Sequence, residues 1–263
     1  MQLHGSSGGF NEDLGKRIHG LPPRLTPEDI VLPEDGFAEH IPKFTYNGRR
    51  HVVKLLAYLK HMALERGNWS PKDDGLPFEE RCGKLFEVND VRSICDAGSG
   101  PDCNLMIYVR RLAGEGVRAY AVDSNKKNPG ITSVTYVQGN IEELDKLLAE
   151  RPEFEGVRRQ KGFDIILSNA TISPGGMDMM ATARWKPGLK MSKAIVDSLN
   201  DRPGSFALIT PFESVVALSR EDADSIAKVK YWCTEDFPGF DTAFPLGLSH
   251  GFRANAVILE KKR

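Results

Sequence analysis

Residues 94–102 read Ile94-Cys95-Asp96-Ala97-Gly98-Ser99-Gly100-Pro101-Asp102. A short apolar run ends in an acid, turns through two glycines and enters a segment with helical spacing. That is the layout of a strand–turn–helix junction. In open α/β sheets, ligands bind outside the carboxyl ends of the strands, where the strand order reverses. Glycine permits positive φ and a close approach of ligand to backbone, and the helix start that follows favours negative charge. Dinucleotide sites want GxGxxG, whereas the third position here is Cys103. The Asp96 carboxylate beside the loop would repel a pyrophosphate. It would suit a ligand carrying an ammonium or sulfonium group.

Outward from this junction the chain alternates. The pattern predicts strands at 91–95, 117–122, 134–138, 163–168, 205–210, 229–233 and 255–260. It predicts helices at 102–112, 141–150, 190–200 and within 213–227. Apolar strands alternating with helices imply a parallel sheet covered on both faces. Upstream, residues 1–48 carry Pro22, Pro23, Pro27, Pro33 and Pro42 and read as an extended arm with short turns. Thr26-Pro27-Glu28-Asp29 can start one short helix there. Residues 49–66 place Val52, Val53, Leu55, Leu56, Leu59, Met62 and Ala63 on one helical face. Arg49, Arg50, Lys54, Lys60 and Arg66 supply the other. This helix either covers the sheet or, since it carries His51, Tyr58 and His61, closes as a lid over a pocket. A polar linker from Pro71 to Pro77 follows, which divides the chain into an arm with a helix at 1–80 and a sheet domain at 81–263.

The run Asp96-Ala97-Gly98-Ser99-Gly100 resembles the first motif of the class I S-adenosylmethionine-dependent methyltransferases, an acid-x-Gly-x-Gly-x-Gly pattern. Asp102 stands where a third glycine is common. The resemblance covers about residues 91–210 and extends to the last two strands. It implies an α/β Rossmann-like three-layer sandwich. Its seven-stranded sheet is mostly parallel with the last strand antiparallel, and an N-terminal helical or extended segment precedes it. The later motifs follow in order. Ala121-Val122-Asp123 ends the second strand, with Asp123 lying 23 residues past Gly100. The resemblance puts both ribose hydroxyls on Asp123, with Ser124 beside it. In Val137-Gln138-Gly139-Asn140-Ile141, Asn140 would take the adenine amino group and Ile141 would flank the ring. Asn140 can equally cap the helix after it, and Asp102 can serve as a first-turn acid. Phe163-Asp164-Ile165-Ile166-Leu167-Ser168-Asn169 resembles the fourth motif, with Ser168 and Asn169 beside the reacting methyl. The implied cofactor set is Asp96, Ala97, Gly98, Ser99, Gly100, Asp102, Asp123, Ser124, Asn140, Ile141, Ser168 and Asn169. The implied cofactor is S-adenosyl-L-methionine, with S-adenosyl-L-homocysteine as product.

Methyl transfer from a sulfonium is a displacement on an already activated carbon. The protein chiefly supplies proximity and orientation, worth up to about 7–11 kcal/mol. A base is needed only where the nucleophile must lose a proton. His250, in Leu246-Gly247-Leu248-Ser249-His250-Gly251-Phe252, is the candidate catalytic base, against its reading as a loop histidine. His40, His51 and His61 join it if the N-terminal region is a lid. Ser168-Asn169-Ala170-Thr171 lacks the Asn/Asp-Pro-Pro-aromatic sequence that family members acting on planar nitrogens often carry. The long connection at 170–190 holds Met177, Met179, Met180 and Trp185, either a pocket wall or ordinary packing. Phe237, Phe240 and Phe244 near the same sheet end suggest a partly apolar acceptor.

Composition bounds the function class. The 263 residues include 35 Lys+Arg and 36 Asp+Glu, a net charge of −1, which excludes a histone-like polycation. Arg49-Arg50, Arg158-Arg159-Gln160-Lys161 and Lys261-Lys262-Arg263 are short basic clusters that either touch phosphates or are simply solvated. No apolar run approaches the roughly 18 residues of a membrane span. The start, MQLHGSSGGF, lacks the pattern of a secretory signal. Cys82, Cys95, Cys103 and Cys233 form no CxxC pair and no metal-ligand spacing, so a reducing, cytoplasmic setting and no metal are expected. The expected activity is methyl transfer to an O or N atom of a small-molecule acceptor. An RNA or protein substrate, and a non-catalytic cofactor-binding partner subunit, are the alternatives. A nicotinamide-dependent dehydrogenase is opposed by Asp96 and Cys103. Oligomeric state is left open.

Overall fold

The computed structural model describes residues 46–127, 130, 132–169, 186–210, 220–234 and 254–263. Its centre is a seven-stranded sheet: β1 (Ser93–Ala97), β2 (Arg118–Asp123), β3 (Thr135–Gln138), β4 (Ile165–Asn169), β5 (Phe206–Thr210), β6 (Lys228–Thr234) and β7 (Ala254–Glu260). The order is β3-β2-β1-β4-β5-β7-β6. The first five strands run parallel, with Cys95 beside Tyr120 and Ile166, and Ile166 beside Ala207. Strand β7 runs antiparallel to both β5 and β6. This is the Rossmann-like sheet expected above, last strand antiparallel included.

The helices are α1 (Tyr46–Glu65), α2 (Phe78–Val88), α3 (Asn104–Ala113), α4 (Leu144–Glu150), α5 (Glu155–Arg159), α6 (Lys186–Asp197) and α7 (Arg220–Ile226). They sort onto the two sheet faces by the alternation of the strands. Ile94, Ala121, Leu167 and Phe206 face α1, α2 and α3 in one apolar cluster. Cys95, Val122, Ile166 and Ala207 face the opposite cluster, which holds Phe154, Val157, Ile195 and Ala223. Because both faces are covered, the central strands read as continuous apolar runs.

The structure adjusts several expectations. Residues 141–143 form a 3-10 turn ahead of α4 rather than its first turn. Helices α2 and α5 had no prediction. Their signals are Glu79 and Glu80 after Pro77, with Cys82, Leu85 and Phe86 on the buried face, and Pro152 opening the turn before α5. On α1, five consecutive residues from Leu55 to Leu59 are at most 2% exposed, and Lys54 is only 7% exposed. Lys54 therefore does not lie on a solvated face. Tyr58 stacks edge-on against Phe206 at 4.7 Å. The covering role of this helix is the one its described side chains adopt.

At the amino ends of the parallel strands sits an ionic knot. Asp164, 3% exposed, accepts from the backbone N–H groups of Arg92 (2.8 Å) and Ser93 (3.0 Å). Its other oxygen takes Arg202 at 2.6 Å, and Arg202 reaches on to Asp90. The knot ties the starts of β1, β4 and β5 together, far from the loops at their other ends.

Candidate cofactor site

The carboxyl end of β1 carries the glycine turn. Gly98 and Gly100 have φ of 90° and 66°, which L side chains seldom adopt. A Cβ at Gly100 would meet no atom within 4 Å, so the turn borders open space. Gly98 N–H donates to Val122 O at 2.7 Å, locking the turn against the end of β2. Cys103 precedes α3 with φ 48° and no side-chain cap. The position that breaks the GxGxxG pattern thus still has the left-handed backbone glycine favours. It is filled by a fully buried thiol whose pKa burial raises.

Two carboxylates flank the turn. Asp96 and Asp123 alternate with residues of the second cluster, so both face the α1–α3 side. Asp123 Oδ2 accepts from Gly100 N–H at 2.9 Å. Its Oδ1 accepts from the N–H and the Nδ2 of Asn125, at 2.9 and 2.8 Å. A carboxylate has about four acceptor positions, so these bonds leave about one. Asn125 was not singled out by the sequence reading; the Asp-x-Asn spacing of a local side-chain turn is its signal. Tyr136 OH donates to Asn125 O at 2.6 Å, and Gln138 Nε2 to Ser124 O at 3.0 Å. These two bonds brace the loop after β2 from β3.

Asp96 differs. It is 1% exposed, and its Oδ1 has no hydrogen-bond partner. Burial, reinforced by the charge of Asp123, pushes its pKa up to about 7. An orphaned buried carboxylate oxygen normally carries a penalty of a few kcal/mol unless something pairs with it. A cationic ligand group above the turn would supply that pairing. The acid, the open glycine turn and Asp123 therefore fit a cofactor bearing an ammonium or sulfonium.

The remaining expected residues are distributed as follows. Ala97 is fully buried beneath the turn, Ser99 is half-buried on it, and Asp102 and Ser124 are exposed at its margins. Asn140 is exposed, and its Oδ1 accepts from Glu142 N–H at 3.1 Å, so it caps the 3-10 turn. Ile141, 6% exposed, packs into the second cluster. Ser168 is fully buried with Oγ unpartnered, but by alternation it faces the second cluster, across the sheet from Asp96. Asn169 ends β4. His250, His40, the 170–185 connection and the 237–245 segment lie outside the described residues. His51 is fully buried, and burial, with Lys54 beside it, lowers its pKa to about 3. His61 stands 3.3 Å from Glu65 at the other end of α1. Among the described residues no three His, Cys, Asp or Glu side chains gather as a metal site. No helix among them is long and apolar enough to cross a membrane.

No protein-family model and no curated protein matches the sequence. Solved structures with a similar layout include an arsenic(III) S-adenosylmethionine methyltransferase from Chlamydomonas reinhardtii, at 21% identity and TM-score 0.30. The match covers 46% of this chain and 38% of that one. A putative ribosomal RNA methyltransferase from Plasmodium falciparum matches at 14% identity and TM-score 0.42, covering 69% of this chain and 95% of that one. An aldohexose dehydrogenase from Thermoplasma acidophilum matches at 15% and TM-score 0.29, covering 41% and 43%. The chain thus spans well under two thirds of the algal and archaeal enzymes. At these TM-scores the likenesses carry no argument about activity, and the fold class rests on the strand order. The dinucleotide-binding order is 3-2-1-4-5-6. Here an antiparallel β7 stands between β5 and β6. The class that fold and turn define is a Rossmann-like α/β protein laid out like the class I S-adenosylmethionine-dependent methyltransferases.

Proposed function

We propose that this protein is an S-adenosylmethionine-dependent methyltransferase acting on an O or N atom of a small-molecule acceptor. The observation that carries the reading is the unpartnered, buried oxygen of Asp96 under an open glycine turn. When bound, the cofactor supplies a methyl already activated by positive sulfur. Asp96 would compensate cationic charge. The turn 98–100 would let the ligand approach the backbone, and Asp123 would hold ribose hydroxyls by exchanging its bonds to Asn125. Asn140, Ile141, Ser124, Asp102 and Asn169 remain candidates for the rim, Ser168 for the buried strand end beneath it, and His250 for a base. The near-neutral charge of the chain favours a small acceptor over a polyanion. An RNA substrate is the second reading, favoured by the basic groove described below. The four scattered cysteines, which form no CxxC pair, suit a reducing, cytoplasmic setting.

Calorimetric titration with S-adenosylmethionine, S-adenosylhomocysteine and NADH tests the proposal. Micromolar binding of the two sulfur compounds and none of NADH is the expected result. Binding of NADH alone would replace the methyl-transfer reading with a dehydrogenase. Cofactor binding without turnover over a broad acceptor screen would favour a partner subunit.

A further inference from the structure

The strand registers place Phe206, Lys228 and Glu260 at one end of the sheet, opposite Asp96 and Asp123. A groove of about 910 Å³ opens there, between the end of α1, the start of β6 and the residues after β7. Six cations line it: Arg66, Lys228, Lys230, Lys261, Lys262 and Arg263. Among the described residues three side-chain carboxylates do, Glu65, Asp224 and Glu260. A chain of net charge −1 thus concentrates positive charge at this end.

Some of these cations have structural work. Lys261 holds Asp201 at 2.9 Å and the carbonyls of Asp197 and Leu199. Lys262 holds the carbonyls of Asp224 and Ser225 in the last turn of α7, as cations at helix C-termini do. Others are less engaged, although the charge of Arg263 is felt at Asp201. Among the described residues neither Lys228 nor Arg263 forms an ion pair, and both are exposed. Lys230 stands 3.6 Å from Glu260.

The floor has a different chemistry from the rim. Tyr58, 2% exposed, donates to Glu260 Oε1 at 3.5 Å. His61 Nε2 is buried without a hydrogen-bond partner, although Glu65 is near. Acceptors and a histidine on the floor, with a rim where cations outnumber the exposed Glu65 and Asp224, suit a ligand that offers phosphates and hydrogen-bond donors together. An acidic peptide offers side chains that only accept, and these would meet Glu65 and Glu260. A ribonucleotide offers phosphates to the rim and ribose hydroxyls or base amino groups to the floor. With Lys261 and Lys262 spent on internal partners, Arg66, Lys228, Lys230 and Arg263 remain, more than one phosphate commonly engages, which points to a strand rather than a mononucleotide.

We propose that this groove is a docking surface for single-stranded RNA. The proposal does not depend on methyl transfer, because the groove and the glycine turn lie at opposite ends of the sheet. The test is fluorescence anisotropy with a labelled, unstructured 12-nucleotide RNA, across a salt series, on the full chain and on the double variant Lys228→Gln/Arg263→Gln. Micromolar binding at low salt is expected for the full chain. The double variant should bind at least tenfold more weakly. Its log–log salt slope should be shallower by about 1.4, at about 0.7 for each lost single-strand contact. Calorimetry of the same variant with S-adenosylhomocysteine should give unchanged affinity, which separates this proposal from the cofactor reading. No RNA binding, an unchanged salt slope in the variant, or equal affinity for AMP or for a polyglutamate peptide would each overturn it.

Discussion

At the residue scale Asp96 couples proton binding, stability and ligand charge. Its folded pKa of about 7 lies above the ordinary carboxylate value of 3.8. The folded state therefore binds more protons than the unfolded one between these pH values, and stability falls as pH rises through that window. The full loss is on the order of 4 kcal/mol, reached above about pH 7. Asp96→Asn should flatten this part of the pH profile and raise stability at pH 8, as urea unfolding at pH 5 and pH 8 would show. The same variant should bind S-adenosylmethionine more weakly at pH 8. The unsubstituted protein should bind the cation more tightly as pH climbs from 6 to 8. Asp123→Ala should weaken cofactor binding by about 1.5–3 kcal/mol, the range for hydrogen bonds to a charged group. It should also loosen the loop after β2, because Asn125 loses both of its bonds to Asp123 and keeps only the one from Tyr136. Calorimetry with S-adenosylhomocysteine reads the first effect, and hydrogen exchange at Asn125 the second. Asp96 was legible in the sequence because an acid before two glycines is conspicuous. Its lack of a partner was not legible, because solvation is a property of packing. Asn140 shows the limit from the other side. A polar residue before a helix can bind a ligand or cap the turn, and only the geometry shows that it caps.

Elements divide by how much of their pattern is local. Every strand was legible to within two residues, and the central parallel ones, buried on both faces, leave unmistakable apolar runs such as Ile165-Ile166-Leu167. Helix α2 escaped because its apolar residues are few and a proline-flanked polar stretch precedes it. Helix α1 was found, but its polar face was overestimated. Lys54 can follow a hydrophobic wall with its methylene stem, which a charge count by helical face does not register. The lid and covering readings of α1 predict different outcomes for Leu55→Ala. Leu55 is fully buried in the first cluster, so its truncation should lower stability by about 2–5 kcal/mol. Thermal unfolding with and without S-adenosylhomocysteine checks this. A variant of unchanged stability would return α1 to the lid role.

Across the whole molecule the two ends of the sheet have separate tasks. One end carries the glycine turn and its acids. The other carries the Asp164 knot and the basic groove. The split predicts a separation of phenotypes. Asp164→Ala leaves two backbone N–H groups without their acceptor and Arg202 with Asp90 alone, and should lower stability by roughly 3 kcal/mol or more. The affinity of the folded fraction for S-adenosylhomocysteine should not change. Urea titration and calorimetry on one preparation compare the two. The layer plan and parallel core were visible from strand–helix alternation. The ionic knot was not, because Asp90, Asp164 and Arg202 are scattered along the chain and meet only when the strands align.

The placement of β7 matters most while the chain is being made. Strands β5 and β6 follow one another in sequence but never touch; each pairs only with β7 along that side of the sheet. Until residues 254–260 leave the ribosome, β5 presents an unsatisfied edge and β6 has no sheet to join. A nascent chain therefore waits with an apolar, pairing-competent flank, the state in which strands associate with the wrong partner. A chain ended at residue 253 is expected to accumulate as aggregate, and adding a synthetic 254–263 peptide during refolding should recover soluble protein. Synthesis rate between β5 and β7, rather than equilibrium stability, would then set how much of this protein reaches the folded state.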